Sequence, residues 1–236
     1  MLRGENLGTL VVVSVLPADL LVFERALLAR GEVVVGIDEV GRGALAGPLM
    51  VGAVVIDCED DPPTGLNDSK LLSAARREAL VEPLHQWAAS WSLGSVSASE
   101  IDEWGLRLAL AVAATRALDG LNVSPTHALV DGSFNLLRSH QNLRFGVAAP
   151  PDLRYASMPA TTIVKGDQRC AVIAAAAVLA KVARDAVMVS LHEECNEYHW
   201  ASNKGYGAPE HLAAIRRRGP HAQHRMSWSL PEHVLT

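Results

Sequence analysis

Three short apolar runs of this chain each lead into an acid, and no other feature restricts the fold so tightly. Residues 32–38 are a β-branched run that closes on Asp38, followed by Glu39 and by Gly41-Arg42-Gly43. Residues 126–131 close on Asp131, followed by Gly132, and residues 161–165 lead straight into Gly166-Asp167. Short β-branched and apolar runs bounded by glycine and polar residues are strand signals. Residues 49–56 and the alternating stretch 90–96 supply two more. Helical spacing appears in 18–30, where Ala18, Leu20, Phe23 and Leu27 share a face and Gly31 stops the helix. It appears again in 73–88, capped by Ser73, and in 99–118, where Ser99 with Asp102 approximates a capping box. Two further helices are predicted at 167–195 and 209–218. The first two strands have no helix between them, and the last two are each tied to one. This order predicts an α/β sheet, antiparallel in one half and parallel in the other.

With 236 residues, of which 49% are hydrophobic and 20% charged, the composition is that of a folded globular chain. Disorder, collagen and coiled coil are excluded. The longest apolar run, residues 171–180, ends at Lys181 and falls well short of the roughly 20 residues of a membrane span. Cys58, Cys170 and Cys195 are odd in number and lack metal spacing, which points to a reducing cytoplasmic setting. The net charge of −5 is unevenly spread. Residues 1–131 hold 9 basic and 18 acidic side chains, and residues 132–236 hold 12 and 8. Such a division suits carboxylates gathered beside a phosphate-binding surface, and equally suits two surfaces of different charge.

Each acid has an ordinary explanation when taken alone. Asp38 and Glu39 would be a solvated strand end, and Asp167 an N-cap favoured by the helix dipole. Neighbours on a regular strand point to opposite faces, so Asp38 and Glu39 share one site only if the chain bends at Glu39. Gly41 and Gly43 permit such a bend, and Arg42 between them suits a phosphate. Acids at the ends of three separate strands form a pattern that hard divalent cations such as Mg²⁺ prefer. Two ions held by shared carboxylates activate water and stabilise the leaving oxygen of a phosphodiester.

Phosphate-binding candidates accompany the acids. Asn67-Asp68-Ser69-Lys70 is a polar loop with a cation, and Lys165, Lys181 and Arg184 flank the 167–195 helix. In Lys204-Gly205-Tyr206-Gly207 a ring stands between glycines, placed either to stack on a sugar or base or to cover the core. Arg216-Arg217-Arg218 reads as a solvated helix face. His221, His224 and His233 lack ligand spacing and read as surface or structural residues.

These motifs occur in a fixed order. Asp38-Glu39-Val40-Gly41-Arg42-Gly43 and Ala46-Gly47-Pro48 precede Asn67-Asp68-Ser69-Lys70, Asp131-Gly132 and Lys165-Gly166-Asp167. Ala180-Lys181-Val182-Ala183-Arg184-Asp185, Lys204-Gly205-Tyr206-Gly207 and His224-Arg225 follow. Taken together they resemble the bacterial ribonuclease HII family from about residue 23 to residue 228. The resemblance implies a ribonuclease H-like fold, a five-stranded mixed sheet flanked by helices with a C-terminal helical extension. It divides the chain into an N-terminal segment (1–31), a catalytic core (32–195) and the extension (196–236). It implies Mg²⁺- or Mn²⁺-dependent cleavage of RNA in RNA–DNA hybrids, and of single ribonucleotides in duplex DNA on their 5′ side. That cleavage would leave a 3′-hydroxyl and a 5′-phosphate.

By the same resemblance, Asp38, Glu39, Asp131 and Asp167 are the metal-site carboxylates of a two-ion centre. Gly41, Arg42 and Gly43 sense the 2′-hydroxyl, and Tyr206 packs on the following deoxyribose. Asn67, Ser69, Lys70, Lys165 and Lys181 are the further substrate-contact candidates. The expected protein is a cytoplasmic monomer that does not engage membranes. Asp185 competes with Asp167 for the fourth acid, and is expected to pair with Arg184 or Lys181. Three positions depart from the family pattern: Ala177 where serine is frequent, Asn203 where histidine is frequent, and Trp228 where phenylalanine is usual. Two other readings share the scaffold. A hybrid-binding protein without catalysis would lack one of the acids, and a DNA nuclease of this fold would have no use for the Gly-Arg-Gly element or Tyr206.

Overall fold

The computed structural model describes residues 19–57, 60–138 and 152–233. Its five strands are β1 (Val34–Val40), β2 (Leu49–Ile56), β3 (Ser90–Val96), β4 (His127–Asp131) and β5 (Ala160–Ile163). They form one sheet in the order β3-β2-β1-β4-β5. The β1–β2 and β2–β3 pairs are antiparallel, and the β1–β4 and β4–β5 pairs are parallel. The helices are α1 (Val22–Leu28), α2 (Ala74–Trp87), α3 (Ala98–Asp119), α4 (Ala171–Glu194), α5 (Trp200–Asn203) and α6 (Pro209–Arg218). Among the described residues no helix is long and apolar enough to cross a membrane.

The period-two alternation of the strands sorts the core into two layers. Val35, Ile37, Val51, Ala53, Val55 and Val130 pack with α3 on one face. Val34, Val54, Ile56 and Leu129 pack with α4, α2 and α1 on the other. Full burial of each valine, leucine or isoleucine among them contributes about 1.5–3 kcal/mol. The helices lie unusually close to the sheet. A Cβ at Gly36 would overlap the α4 backbone, 2.6 Å from Ile173 N. A Cβ at Gly52 would do the same at Ala176, and one at Gly94 would meet Ala113 and Ala117 of α3. Glycine on the strand is what this close approach to the helix backbone requires. The Ala171–Ala180 run is therefore a buried helix face that presses on the strands carrying the first acids.

Several boundaries differ from the sequence reading, each for a local reason. The helix expected at 18–30 begins at Val22, and residue 18 lies outside the described residues. α3 is capped by Ser97 rather than Ser99. Ser97 Oγ accepts the Glu100 N–H, and Glu100 Oε2 accepts the Ser97 N–H at 2.8 Å, a reciprocal box that Asp102 does not match. Asp102 is occupied elsewhere, accepting the Met226 and Ser227 N–H groups at 2.8 and 2.9 Å. The last long helix begins at Ala171 rather than at Asp167. Lys165 adopts a left-handed conformation (φ 55°), which ends the extended chain, and Gly166–Gln168 form a single 3₁₀ turn before α4.

A third apolar cluster joins the C-terminal residues to the sheet. Tyr198, Trp200, Ala214 and Ile215 pack on Ala46 and Met188. Ala46 also makes an isolated β-bridge with His224.

Candidate active site

The parallel half of the sheet carries the acids to one edge. In the β1–β4 register Ile37 pairs with Val130, so Asp38 and Asp131 are the next residues on neighbouring strands. Asp131 in turn pairs with Ile163, four residues before Asp167. The carboxyl ends of parallel strands are where α/β sheets place ligands. A bend at Glu39 proves unnecessary for the two acids to share a site: β1 stays paired with β2 through Val40, and Asp38 and Glu39 still line one cleft. The pairing of β1 with β4 stops at Ile37, leaving the end of β1 open on that side, and the Glu39 carboxylate still lies within the field of Asp131.

A cleft of about 430 Å³ opens here. Asp38, Glu39, Gly41, Arg42, Gly43, Ser69, Lys70, Ala177, Lys181 and Tyr206 line it. Asp38 is 6% exposed and Asp167 3% exposed, while Lys70 stands over them with Nζ 3.6 Å from Asp167 Oδ2. Asp131 Oδ1 accepts the Gly166 N–H at 2.7 Å, which ties the third acid to the turn bearing the fourth.

Burial, then the charges of Glu39 and Asp131, push the Asp38 carboxyl well above the usual range. Burial also raises Glu39, against the pull of Arg42, whose Nη1 lies 3.5 Å from Glu39 Oε1. Asp167 is pushed up to about 6 by burial and by the neighbouring Asp68 carboxyl. Burial alone would lower the Lys70 ammonium, but Asp167, Asp38, Asp68 and Asp131 together hold it above its ordinary value.

The other candidates divide. Arg42 is half exposed and lies over the Phe134 ring at 5.1 Å, a partner that sequence spacing does not suggest. Lys181 reaches the cleft but is ion-paired with Asp185 one helical turn on. Asp185 is not part of the acid cluster. It faces a separate groove with Arg77 and Lys204, and its second partner is Arg77 at 3.8 Å rather than Arg184. Asn67 and Lys165 do not line the cleft. Asn67 Oδ1 accepts the Asp68 N–H, and Lys165 is exposed in the turn after β5. Arg184 is fully buried and donates to three backbone carbonyls, so it does not flank the site as a phosphate donor.

Asp68 was overlooked by sequence reasoning. It is 5% exposed and accepts the Lys70 N–H at 2.8 Å and the Gln168 side-chain amide at 3.1 Å. Burial raises its pKa, but these donors and the Asp167 carboxyl outweigh burial and hold it low. Asp68 therefore anchors the Lys70 loop against the Asp167 turn. Its place inside Asn67-Asp68-Ser69-Lys70 was the available signal. Arg225 was likewise quoted only as part of a motif. Fully buried, it donates to the carbonyls of Gly41, Arg42 and Gly47 at 2.7, 2.9 and 3.1 Å.

The donor set suits a divalent cation of the Mg²⁺ class, since it consists of carboxylate oxygens. Crowded buried carboxylates with raised proton affinity are also groups that a cation would relieve. Among the described residues no three His, Cys, Asp or Glu side chains already stand close enough together to hold an ion, so cation binding would have to draw the carboxylates inward.

Comparison with known proteins identifies the family and the fold. The sequence model of the ribonuclease HII family matches residues 35–230. The chain is 43% identical over 208 residues to the ribonuclease HII of Streptomyces avermitilis, covering 87% of this chain and 82% of that one. It is 45% identical over 199 residues to the ribonuclease HII of Jannaschia sp., covering 84% and 90%. Among solved structures, the ribonuclease H2 of Pyrococcus horikoshii superposes with a TM-score of 0.60 at 26% identity, covering 83% of this chain and 93% of that one. A ribonuclease HII solved in complex with PCNA, from Archaeoglobus fulgidus, gives 0.63 at 26% identity, covering 86% and 98%.

Proposed function

The chain belongs to the ribonuclease HII family, endoribonucleases that act on RNA–DNA hybrids, and from that premise we propose how its cleft performs the cleavage. The observation that carries the proposal is the convergence of Asp38, Asp131 and Asp167 at the ends of three adjacent parallel strands, with Asp38, Glu39, the Gly41–Gly43 loop and Tyr206 lining the cleft beside them. Asp38, Glu39, Asp131 and Asp167 would hold two Mg²⁺ or Mn²⁺ ions. When bound, such ions supply an activated water and stabilise the leaving oxygen of a phosphodiester.

The chain's own residues bind and orient the substrate. Arg42 and the backbone of Gly41 and Gly43 approach the ribose, and the 2′-hydroxyl is the group that tells RNA from DNA. A Cβ at Gly43 would meet nothing within 4 Å, so open space remains there for a sugar. Lys70 and Ser69 face the cleft beside the acids and neutralise or bond the scissile phosphate. Tyr206, 37% exposed, offers its ring to the next sugar. Water adds to phosphorus, the bond to the 3′-oxygen breaks, and that oxygen takes up a proton. The products are a 3′-hydroxyl and a 5′-phosphate.

We extend the substrate class to single ribonucleotides within duplex DNA, cut on their 5′ side by the chain acting as a monomer. The free thiols of Cys170 and Cys195 suit a reducing cytoplasm. A duplex carrying one ribonucleotide, incubated with and without Mg²⁺ and mapped to the nucleotide, tests this reading. A metal-dependent cut 5′ of the ribonucleotide is expected. Cleavage of continuous hybrid alone, or cleavage without metal, overturns it.

A further inference from the structure

We infer that Arg184 is a positioning residue that sets the spacing between the Gly41–Gly43 loop and the Tyr206 ring, and so the preference for a lone ribonucleotide over an uninterrupted hybrid. The inference rests on the reading of those two elements proposed above.

Arg184 lies on α4 and is fully buried. A buried guanidinium is unfavourable unless its donors are satisfied. Here Nε donates to Pro48 O at 2.8 Å, Nη1 to Lys204 O at 2.9 Å and Nη2 to Ala46 O at 3.1 Å. The acceptors are backbone carbonyls of two separate segments. One segment follows the Gly41–Gly43 loop and the other immediately precedes Tyr206. A planar donor fork fixes direction as well as distance, which an apolar side chain filling the same space would not do.

The same side chain also touches both reading elements. A Cβ at Gly41 would overlap the guanidinium, 2.8 Å from Cζ, so the loop rests directly on Arg184. On the other side the Tyr206 ring lies over Cζ at 5.4 Å, within cation–π range. The surrounding contacts hold this arrangement in place. His211 Nδ1 lies 2.7 Å from Tyr206 O, and Gly205 O accepts the Leu45 N–H at 2.8 Å. Arg225 grips Gly41 and Arg42 by their carbonyls. Arg184 thus meets both the loop and the ring.

The test compares cleavage rates on two duplexes, one with a single embedded ribonucleotide and one with a continuous RNA strand. Arg184→Lys keeps the charge but loses the fork, and Arg184→Gln keeps donors but loses the charge. Both are measured in the full chain beside Tyr206→Ala and the Arg184→Lys/Tyr206→Ala double variant, with circular dichroism to check folding. The expected result is a single-ribonucleotide to hybrid rate ratio lowered about 5-fold or more in each Arg184 variant, the lower end of a stacking loss. The double variant falls no further than Tyr206→Ala, because the two residues act through one contact.

An unchanged ratio in the Arg184 variants, with a lowered one in Tyr206→Ala, overturns this inference and leaves the reading of Tyr206 standing. An unchanged ratio in Tyr206→Ala overturns both. Equal losses on both duplexes reduce Arg184 to a brace for the fold. One readout needs no Arg184 substitution. The ring lies over the Arg184 guanidinium, so the resonances of that group are expected to shift in Tyr206→Ala, and resonances that stay put overturn the contact itself.

Discussion

The backbone N–H of Val172 lies 3.0 Å from Oε1 of Glu24, so a carboxylate on α1 caps the first turn of α4 from 148 residues away. The residue at the cap position, Cys170, makes no side-chain cap. Glu24 is fully buried and its other oxygen, Oε2, has no partner among the described residues. Burial, partly offset by the N–H groups around it, raises its pKa from 4.5 to about 7.

The raised pKa has a definite sign. Below about pH 4.5 the carboxyl is neutral in both the folded and unfolded chain. Between that value and about 7 the unfolded chain releases the proton first, so stability falls as pH rises, by roughly 3 kcal/mol in all. Glu24→Gln keeps an acceptor for Val172 and carries no charge. It is expected to melt above wild type at pH 8 and level with it at pH 4, below the unfolded pKa. A difference that is the same at both pH values contradicts this role for the Glu24 charge.

Gly36 and Gly43 separate packing from function. A methyl group at Gly36 meets the α4 backbone, which has no flexible end to move aside. Gly36→Ala is therefore expected to lose at least about 1–3 kcal/mol of stability, the usual range for overpacking. Gly43 has open space around its α-carbon. Gly43→Ala should keep the wild-type denaturation midpoint while slowing cleavage, because the added methyl group occupies space proposed for the sugar. Chemical denaturation and a cleavage assay on both variants decide the matter, and a reversed pattern of losses is the contrary result.

The sheet and the acids were legible because strand signals and strand-end acids are local in sequence. Residues 32–38, 126–131 and 161–165 read as three strands, and their ends led to Asp38, Asp131 and Asp167. What escaped was long-range. Arg184 read as a phosphate donor because it is a cation on the helix predicted to start at Asp167. Nothing local shows that carbonyls 136 and 138 residues away, at Pro48 and Ala46, would bury it. Asp68 escaped for a similar reason, since its Gln168 partner lies 100 residues on. The Ser99 error was of another kind. Two serines stood within reach of the helix start, and the reciprocal bond with Glu100 decided for Ser97.

Metal binding should register as stability. Asp38 is buried among like charges, and a cation relieves that repulsion. A site filled to 100 times its Kd gains about 2.7 kcal/mol. In a chain of this size that is a rise in Tm of several degrees, roughly 5–11 °C. Mg²⁺ should thus raise the Tm of the wild type, while Asp38→Asn melts higher without metal and gains little from it. Equal Mg²⁺ shifts in the two proteins would place the binding elsewhere.

The most direct test of the acid cluster is a paired measurement of cleavage and hybrid binding in Asp38→Asn and Asp131→Asn, with Mg²⁺ present. The carboxylates are assigned to metal rather than to nucleic acid. Each variant should therefore lose cleavage by about 1,000-fold or more, some 4 kcal/mol of barrier. Affinity for the hybrid should stay within about threefold of wild type or tighten, because removing negative charge beside phosphates favours binding. Cleavage retained within tenfold in either variant, or binding lost in step with cleavage, would contradict the assignment.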